Sequence, residues 1–315
     1  MRLQKEIFLK IVVTEFMEAA AIERLRAKAD ITYDPQLVND LPRMLGEAAK
    51  CDAIIVRNRT QVRGELLASL KRCKVVGRLG VGLDNVDVDG CKKQGIRVIP
   101  AIGANANSVA EYVIATAMLL LRGSYTSTAK VAAGCWPRDA LSHGRELAGK
   151  RLGLLGFGSI GQLTARLATA MGMSVSAFDP ALTDDDTIFT ELGVIPSDLE
   201  GLLAESDVVS LHMPLVDSTR NLFNEDRIKA MKPGAVLINT ARGGIVDEPA
   251  IAAALRNGRL GGVALDVFAQ EPLTVAPHFQ DCPNLILTPH TAGLTIESNQ
   301  RVGNLIAEKI LEALE

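Results

Sequence analysis

At 315 residues the chain is longer than one average domain, so two domains are expected. Hydrophobic residues at 48% and charged residues at 23% describe an ordinary folded protein with a full core. A net charge of -3, without any long run of like charge, gives no electrostatic reason to expect nucleic acid or an anionic membrane as partner.

Short β-branched runs alternate with helical patterns along the whole chain. A buried strand is expected over 7–13 and a one-faced apolar helix over 18–28, with further strands at 53–56, 75–77 and 98–99. A long helical pattern covers 108–121, with Asn107 and Ser108 as possible caps. From residue 151 the rhythm restarts: RLGLLG, a helix over 160–171, then SVSAFD, VVSLHM, AVLINTA, GVALDVF and LILTPH. A last helix over 296–314 follows the final strand and could pack back on the first domain. Continuous apolar strands separated by helices mean parallel sheets covered on both faces, so the fold class is α/β, doubly wound, with a boundary near residue 101. Two such domains are expected to make a cleft, a preferred place for small molecules.

The strongest apolar stretch, Tyr112 to Leu121, is about half of what a bilayer crossing needs. The N-terminal apolar run is short and carries charges, unlike a secretion signal. Five cysteines (51, 73, 91, 135 and 282) form no C-x-x-C pair. They are expected to be buried small hydrophobes in a reducing compartment, and the location cytoplasmic. No His/Cys/carboxylate cluster has metal-ligand spacing, so no metal is expected.

Gly156-Phe157-Gly158-Ser159-Ile160-Gly161 stands between the strand RLGLL and the helix continuing as QLTARLATAMG. Gly156 permits a tight turn, Gly158 lets backbone approach a pyrophosphate, and Gly161 lets helix and strand pack closely. The amides of Ser159 and Ile160 open the helix toward the phosphates. Asp179 follows 18 residues after Gly161, at the end of SVSAFD, where a carboxylate can accept from the adenosine ribose hydroxyls. It repels the extra phosphate of NADP, and Pro180 supplies no compensating cation, so NAD is the expected cofactor. The alternative is that Asp179 only begins a turn before Pro180. Gly80-Val81-Gly82 lacks the third glycine, but its amides could hold an anion.

Hydride transfer from an alcohol needs a base for the hydroxyl proton and a cation for the substrate carboxylate. Of four histidines, His143 in SHGRE and His278 in APHFQD read as solvated loop residues. His212 ends the strand VVSLHM and, with Met213 and Pro214 after it, suits cofactor packing. His290 in LTPHTAG is the best base. Glu271 in AQEP, bonded to His290, would fix its tautomer and favour the protonated form. Arg242 in NTARGG offers a planar fork for a carboxylate. Each alone reads more readily as a surface salt-bridge residue or loop charge than as a catalyst; their shared location at strand ends favours chemistry.

The order Gly-rich loop, TARG, DVF-x-x-EP and TPH resembles the D-isomer-specific 2-hydroxyacid dehydrogenase family across nearly the whole chain. The resemblance implies that Arg242 binds and polarises the substrate, that His290 is the acid/base and Glu271 its partner. It places Thr240, Ala241 and Asp266 near the nicotinamide, with Ala292 and Gly293 also lining the cofactor. It implies a Rossmann NAD-binding domain over 101–289 and a flavodoxin-like substrate domain from 1–100 plus 290–315. A homodimer joined through the cofactor domains is implied too, the 108–121 helix in its interface. HTAG departs from the commoner HIGG and HTAW forms.

Within the family, VRNRT, GRLGVGLDNVD, NSVAEYVIA and MLLLRG resemble phosphoglycerate dehydrogenases. That match implies substrate contacts from Asn58, Arg59, Val81, Gly82, Asn105 and Arg242. Arg57 and Arg59 are expected on one side of a strand end, where two cations suit a second anionic group, phosphate or sulfonate. The chain stops about 25 residues after His290, so serine feedback through a C-terminal regulatory domain is not expected. The substrate is thus expected to be a small 2-hydroxy acid of the 3-phosphoglycerate or 3-sulfolactate type. A general glyoxylate/hydroxypyruvate reductase stands as alternative if the arginines point outward. An NAD-sensing protein like the C-terminal-binding corepressors is a rival from another class, and a methyltransferase would leave Arg242, Glu271 and His290 together unexplained.

Overall fold

The computed structural model describes residues 9–315; of the strand expected over 7–13, residues 7 and 8 lie outside the described residues. The chain divides into two compact units, one holding the residues up to Asn105 together with Leu294–Glu315, the other Ala106–Gly293. Among the described residues, no helix is long and apolar enough to cross a membrane.

In the first unit β1 (Lys10–Val13), β2 (Asp30–Tyr33), β3 (Ala53–Val56), β4 (Val75–Arg78) and β5 (Arg97–Pro100) pair in parallel in the order β2-β1-β3-β4-β5. This is the flavodoxin-like order, whose direction reverses between β1 and β3. Alternation along β1 sends Ile11 and Val13 to one face and Val12 to the other, and both faces are buried. The C-terminal helix Ile296–Leu314 covers the first face with Ile306, Ala307 and Ile310. A Cβ on Gly77 would sit 2.8 Å from Ile306 Cγ2, so glycine in β4 is what lets this helix come down onto the sheet. β2 escapes the sequence pattern because DITY is a half-exposed edge strand with no apolar run.

The second unit holds β6 (Arg151–Leu155), β7 (Ser174–Phe178), β8 (Ile195–Pro196), β9 (Val208–Leu211), β10 (Ala235–Asn239), β11 (Leu260–Leu265) and β12 (Leu285–Leu287). Their order is β12-β11-β10-β9-β6-β7-β8, all parallel. This is the Rossmann order with one extra strand, reversing between β6 and β9. The helix Ala106–Arg122 buries Val113, Ala117, Leu120 and Leu121 against Leu152, Leu154 and Ile238. Asn107 and Ser108 are not its caps. They lie inside its first turn, where Asn107 Nδ2 donates to Glu111 Oε1 and Ser108 is buried. All five cysteines are free, but only Cys51, Cys73 and Cys91 are buried; Cys282 is half-buried, and Cys135 is exposed in the loop leading to the exposed Trp136.

Candidate active site

The glycine turn opens at the reversal point of the second sheet, directly after β6. Gly156 has φ +93, and a Cβ there would lie 2.7 Å from the His212 carbonyl carbon. A Cβ on Gly161 would lie 2.5 Å from Gly156 O, whereas one on Gly158 would meet nothing within 4 Å. Two glycines therefore close the turn against β9 and the helix, and the third leaves open space. Gly158 precedes the twelve-residue helix Ser159–Ala170 without a side-chain cap, so the amides of its first turn face that space. The cradle fits a dinucleotide pyrophosphate.

Asp179 follows β7 and is half-buried. One oxygen accepts the Phe157 amide at 2.7 Å; the other accepts Ala181 N at 3.0 Å, an Asx turn through Pro180. The carboxylate both braces the glycine turn and starts the next one, with lone pairs left for ribose hydroxyls. His212 leaves β9 with its Nε2 3.0 Å from Ser210 Oγ, and burial pushes its imidazole down to about 4. A ring neutral at ordinary pH suits packing beside the glycine turn. Met213 is half-buried and Pro214 exposed. The Thr240 hydroxyl is buried with no hydrogen-bond partner among the described residues, another polar atom that a ligand would satisfy.

Three strand ends of the same sheet, those of β10, β11 and β12, bring the remaining groups together. After β11, Asp266 is 1% exposed and spends its carboxylate on the next loop. Oδ1 accepts Thr288 Oγ1 at 2.6 Å and Thr291 N at 2.7 Å, and Oδ2 accepts Ala292 N at 2.8 Å. The His290 amide donates to Asp266 O at 2.8 Å. His290 itself is held at φ +56, a conformation rare for a residue with a side chain and sustained here by those bonds. Tyr112 O–H lies 2.6 Å from Thr288 Oγ1 and ties the first helix of the unit to the same loop.

His290 Nδ1 stands 2.7 Å from Glu271 Oε2, and Glu271 Oε1 accepts the Phe268 amide at 3.0 Å. Burial acts to raise the Glu271 carboxyl. The His290 bond, the Phe268 amide and the charges of His290 and Arg242 outweigh it and hold the group below the usual range. After β10, Asn239 Oδ1 accepts Ala241 N at 3.0 Å and its Nδ2 donates to Arg242 O at 2.9 Å, fixing the TARG turn. Arg242 is half-buried, with Nη1 donating to Ala241 O at 2.6 Å. A Cβ on Gly243 would lie 1.7 Å from Phe268 O, so the Arg242 turn packs directly on the backbone that leads to Glu271. Ala292 is buried and Gly293 half-buried just beyond His290.

Of the other histidines, His143 is exposed. His278 is not a solvated loop residue: it is half-buried against the Phe279 ring, 3.4 Å from Glu248.

In the first unit, β3 ends at Val56, so Arg57 and Arg59 lie in a loop where strand alternation does not apply. Arg57 Nη2 donates to Asn299 Oδ1 at 2.8 Å and the guanidinium lies over the Phe16 ring, whereas Arg59 Nη2 donates to Asn39 Oδ1 at 2.5 Å. The two cations take separate partners rather than sharing one side. Asn58, Arg59 and Val81 are exposed, and Gly82 and Asn105 half-buried, with Asn105 Oδ1 lacking a partner among the described residues.

Comparison with known proteins bears on this arrangement. Residues 114–292 match the family described as D-isomer specific 2-hydroxyacid dehydrogenase, NAD binding domain. This chain belongs to the D-isomer specific 2-hydroxyacid dehydrogenase family. It is an NAD-dependent oxidoreductase of that family. It is 48% identical over 304 residues to the (S)-sulfolactate dehydrogenase of Chromohalobacter salexigens, covering 96% of this chain and 98% of that one. The hydroxypyruvate reductase of Thermotoga maritima is 38% identical over 299 residues, covering 94% and 95%. Among solved structures, D-lactate dehydrogenase from Aquifex aeolicus, complexed with NAD and lactic acid, superposes with TM-score 0.83 at 31% identity, covering 96% and 95%.

Proposed function

We propose that this enzyme oxidises 3-sulfolactate, or a 2-hydroxy acid with a similar second anionic group, with NAD. The observation that carries the chemistry is the His290–Glu271 pair at 2.7 Å, after β12 and β11, next to the end of β10 that leads into Arg242. The sulfonate is supported by the 48% identity to a sulfolactate dehydrogenase.

In this reading the second unit is the NAD domain and the first the substrate domain. Gly156, Gly158, Ser159, Ile160 and Gly161 hold the pyrophosphate and Asp179 the ribose. His212, Met213, Pro214, Thr240, Ala241, Arg242, Asp266, His290, Ala292 and Gly293 line the remainder. Bound there, NAD supplies the hydride acceptor. Arg242 holds the substrate carboxylate in a bidentate contact. With Nδ1 committed to Glu271, His290 uses Nε2 to take the C2 hydroxyl proton, and Glu271 stabilises the imidazolium that results. Asn58, Arg59, the Val81 and Gly82 amides and Asn105 contact the rest of the substrate.

One observation favours a general reductase of simple 2-oxo acids as second reading: the Arg57 guanidinium is already engaged by Asn299, and Arg59 by Asn39. Product analysis separates the two. The enzyme given NAD and racemic 3-sulfolactate should form NADH and 3-sulfopyruvate in equal amounts, and absence of both products would refute the first.

A homodimer is proposed through the apolar surface formed by Met118, Leu119, Tyr125, Val131 and Trp136, the last 78% exposed. Light scattering should give twice the mass of the 33.6 kDa chain, and a monomer at assay concentrations would contradict it. Five free cysteines suit the proposed cytoplasmic location.

A further inference from the structure

Doubly wound sheets place ligands beyond the carboxyl ends of their strands where the strand order reverses. In the first unit that point lies between β1 and β3. β1 runs there into Thr14-Glu15, and β3 into the loop 57–60. Glu15 is 4% exposed, and its carboxylate is filled by that loop. Oε1 accepts the Arg57 and Thr60 amides, each at 2.9 Å, and Oε2 accepts the Arg59 amide at 3.1 Å. The Thr14 and Thr60 hydroxyls meet at 2.8 Å.

The carbonyls of the same loop are taken by Asn85, itself buried. Its Nδ2 donates to Arg57 O at 3.0 Å and Thr60 O at 2.7 Å. Asn85 also stands three residues after Gly82, and its own carbonyl accepts the Val62 amide at 2.8 Å. One buried carboxylate and one buried amide thus bind the loop backbone through amides and carbonyls alike. The side chains of Asn58 and Arg59 are left exposed at its tip. Buried partners of this kind hold a surface loop's tip in a fixed place, as a functional constellation requires.

We propose that Glu15 and Asn85 are positioning residues: they lock the Asn58-Arg59 tip and the Val81-Gly82 segment into one register. That fixes the spacing between the group that meets the substrate's second anion and the Val81 and Gly82 amides that meet another part of the same substrate. Holding both in advance removes an ordering cost from substrate binding and adds nothing to the proton transfer. The proposal rests on the reading that these two segments touch substrate.

Two nearly isosteric changes test it. Glu15→Gln turns one acceptor into a donor facing backbone amides, and Asn85→Asp turns a donor into an acceptor facing two carbonyls. The expected result is a KM for 3-sulfolactate raised by about tenfold or more, the scale of one charged hydrogen bond, with kcat at saturation within about twofold. KM for NAD and for lactate, which lacks the second anion, should change by less than about threefold. A structural role alone would lower Tm and shift the constants of every substrate together, and that result overturns the proposal. Should either variant fail to fold, Thr14→Val removes the Thr14 hydroxyl that meets Thr60, with volume retained, and should show the same split at smaller amplitude. Arg59→Ala separates the two possible failures. If it raises KM for sulfolactate and the Glu15 and Asn85 variants do not, the positioning role is overturned. If it leaves that KM unchanged, the reading of the loop as a substrate contact falls instead.

Discussion

Glu271 Oε2 lies 2.7 Å from His290 Nδ1 while the other carboxylate oxygen accepts the Phe268 amide at 3.0 Å, so the carboxylate is fixed at both ends. The imidazole is thereby oriented, with Nε2 the nitrogen left for a substrate proton. His290→Ala is expected to lower kcat by about 10²–10⁴-fold, the usual worth of a general base. Fluorescence titration should show NAD affinity preserved. Unchanged turnover would remove His290 from the proposed chemistry.

The same pair carries a pH signature in stability. The Glu271 carboxyl is held below its ordinary value of 4.5, so its ionised form stabilises the fold above that pH, and the contribution is lost as pH falls through the lowered value. Glu271→Gln should therefore melt below the wild type at neutral pH, and the Tm gap should narrow toward acid. A gap that widens on acidification contradicts the assignment. The side chain is 32% exposed, so screening by solvent keeps the gap small.

Asp179→Ala is expected to lower the ratio of kcat/KM for NAD over NADP by about tenfold or more, because a charge-assisted bond to ribose is lost and the repulsion of a phosphate with it. The lost brace on the Phe157 amide should also cost about 1 kcal/mol in urea unfolding. An unaltered cofactor ratio leaves Asp179 with the turn-forming role alone.

What the sequence made legible was the part written in local pattern. The apolar runs of β6, β9 and β10 are continuous because helices cover both faces, and the glycine turn, TARG and TPH all sit where strands end. The rest depends on chain segments distant in sequence. Asp266 belongs to the motif LDVF, but no local pattern shows that its carboxylate binds Thr288, Thr291 and Ala292, some 25 residues on. Glu15 is not legible in the sequence, because a glutamate after a strand reads as a surface charge until the loop 57–60 folds over it. Placing Arg57 and Arg59 on one side requires the strand to continue through them, and it stops at Val56.

Gly243→Ala tests the packing between the Arg242 turn and the Glu271 segment. The added methyl would lie 1.7 Å from Phe268 O and 2.6 Å from Ala269 N, backbone atoms that cannot step aside as a side chain would. Overpacking of this kind costs about 1–3 kcal/mol, and the displaced guanidinium should raise KM for the 2-hydroxy acid more than KM for NAD. Full stability together with normal kinetics would show that the two segments do not need this contact.

The most direct measurement is kcat/KM, followed by NADH formation, across both 3-sulfolactate enantiomers, 3-phosphoglycerate, both lactates, glycerate and malate. The account predicts that one sulfolactate enantiomer exceeds lactate and glycerate by at least about tenfold, one charged contact's worth. Lactate or glycerate turning over as well as sulfolactate would contradict it and leave a general 2-hydroxyacid dehydrogenase.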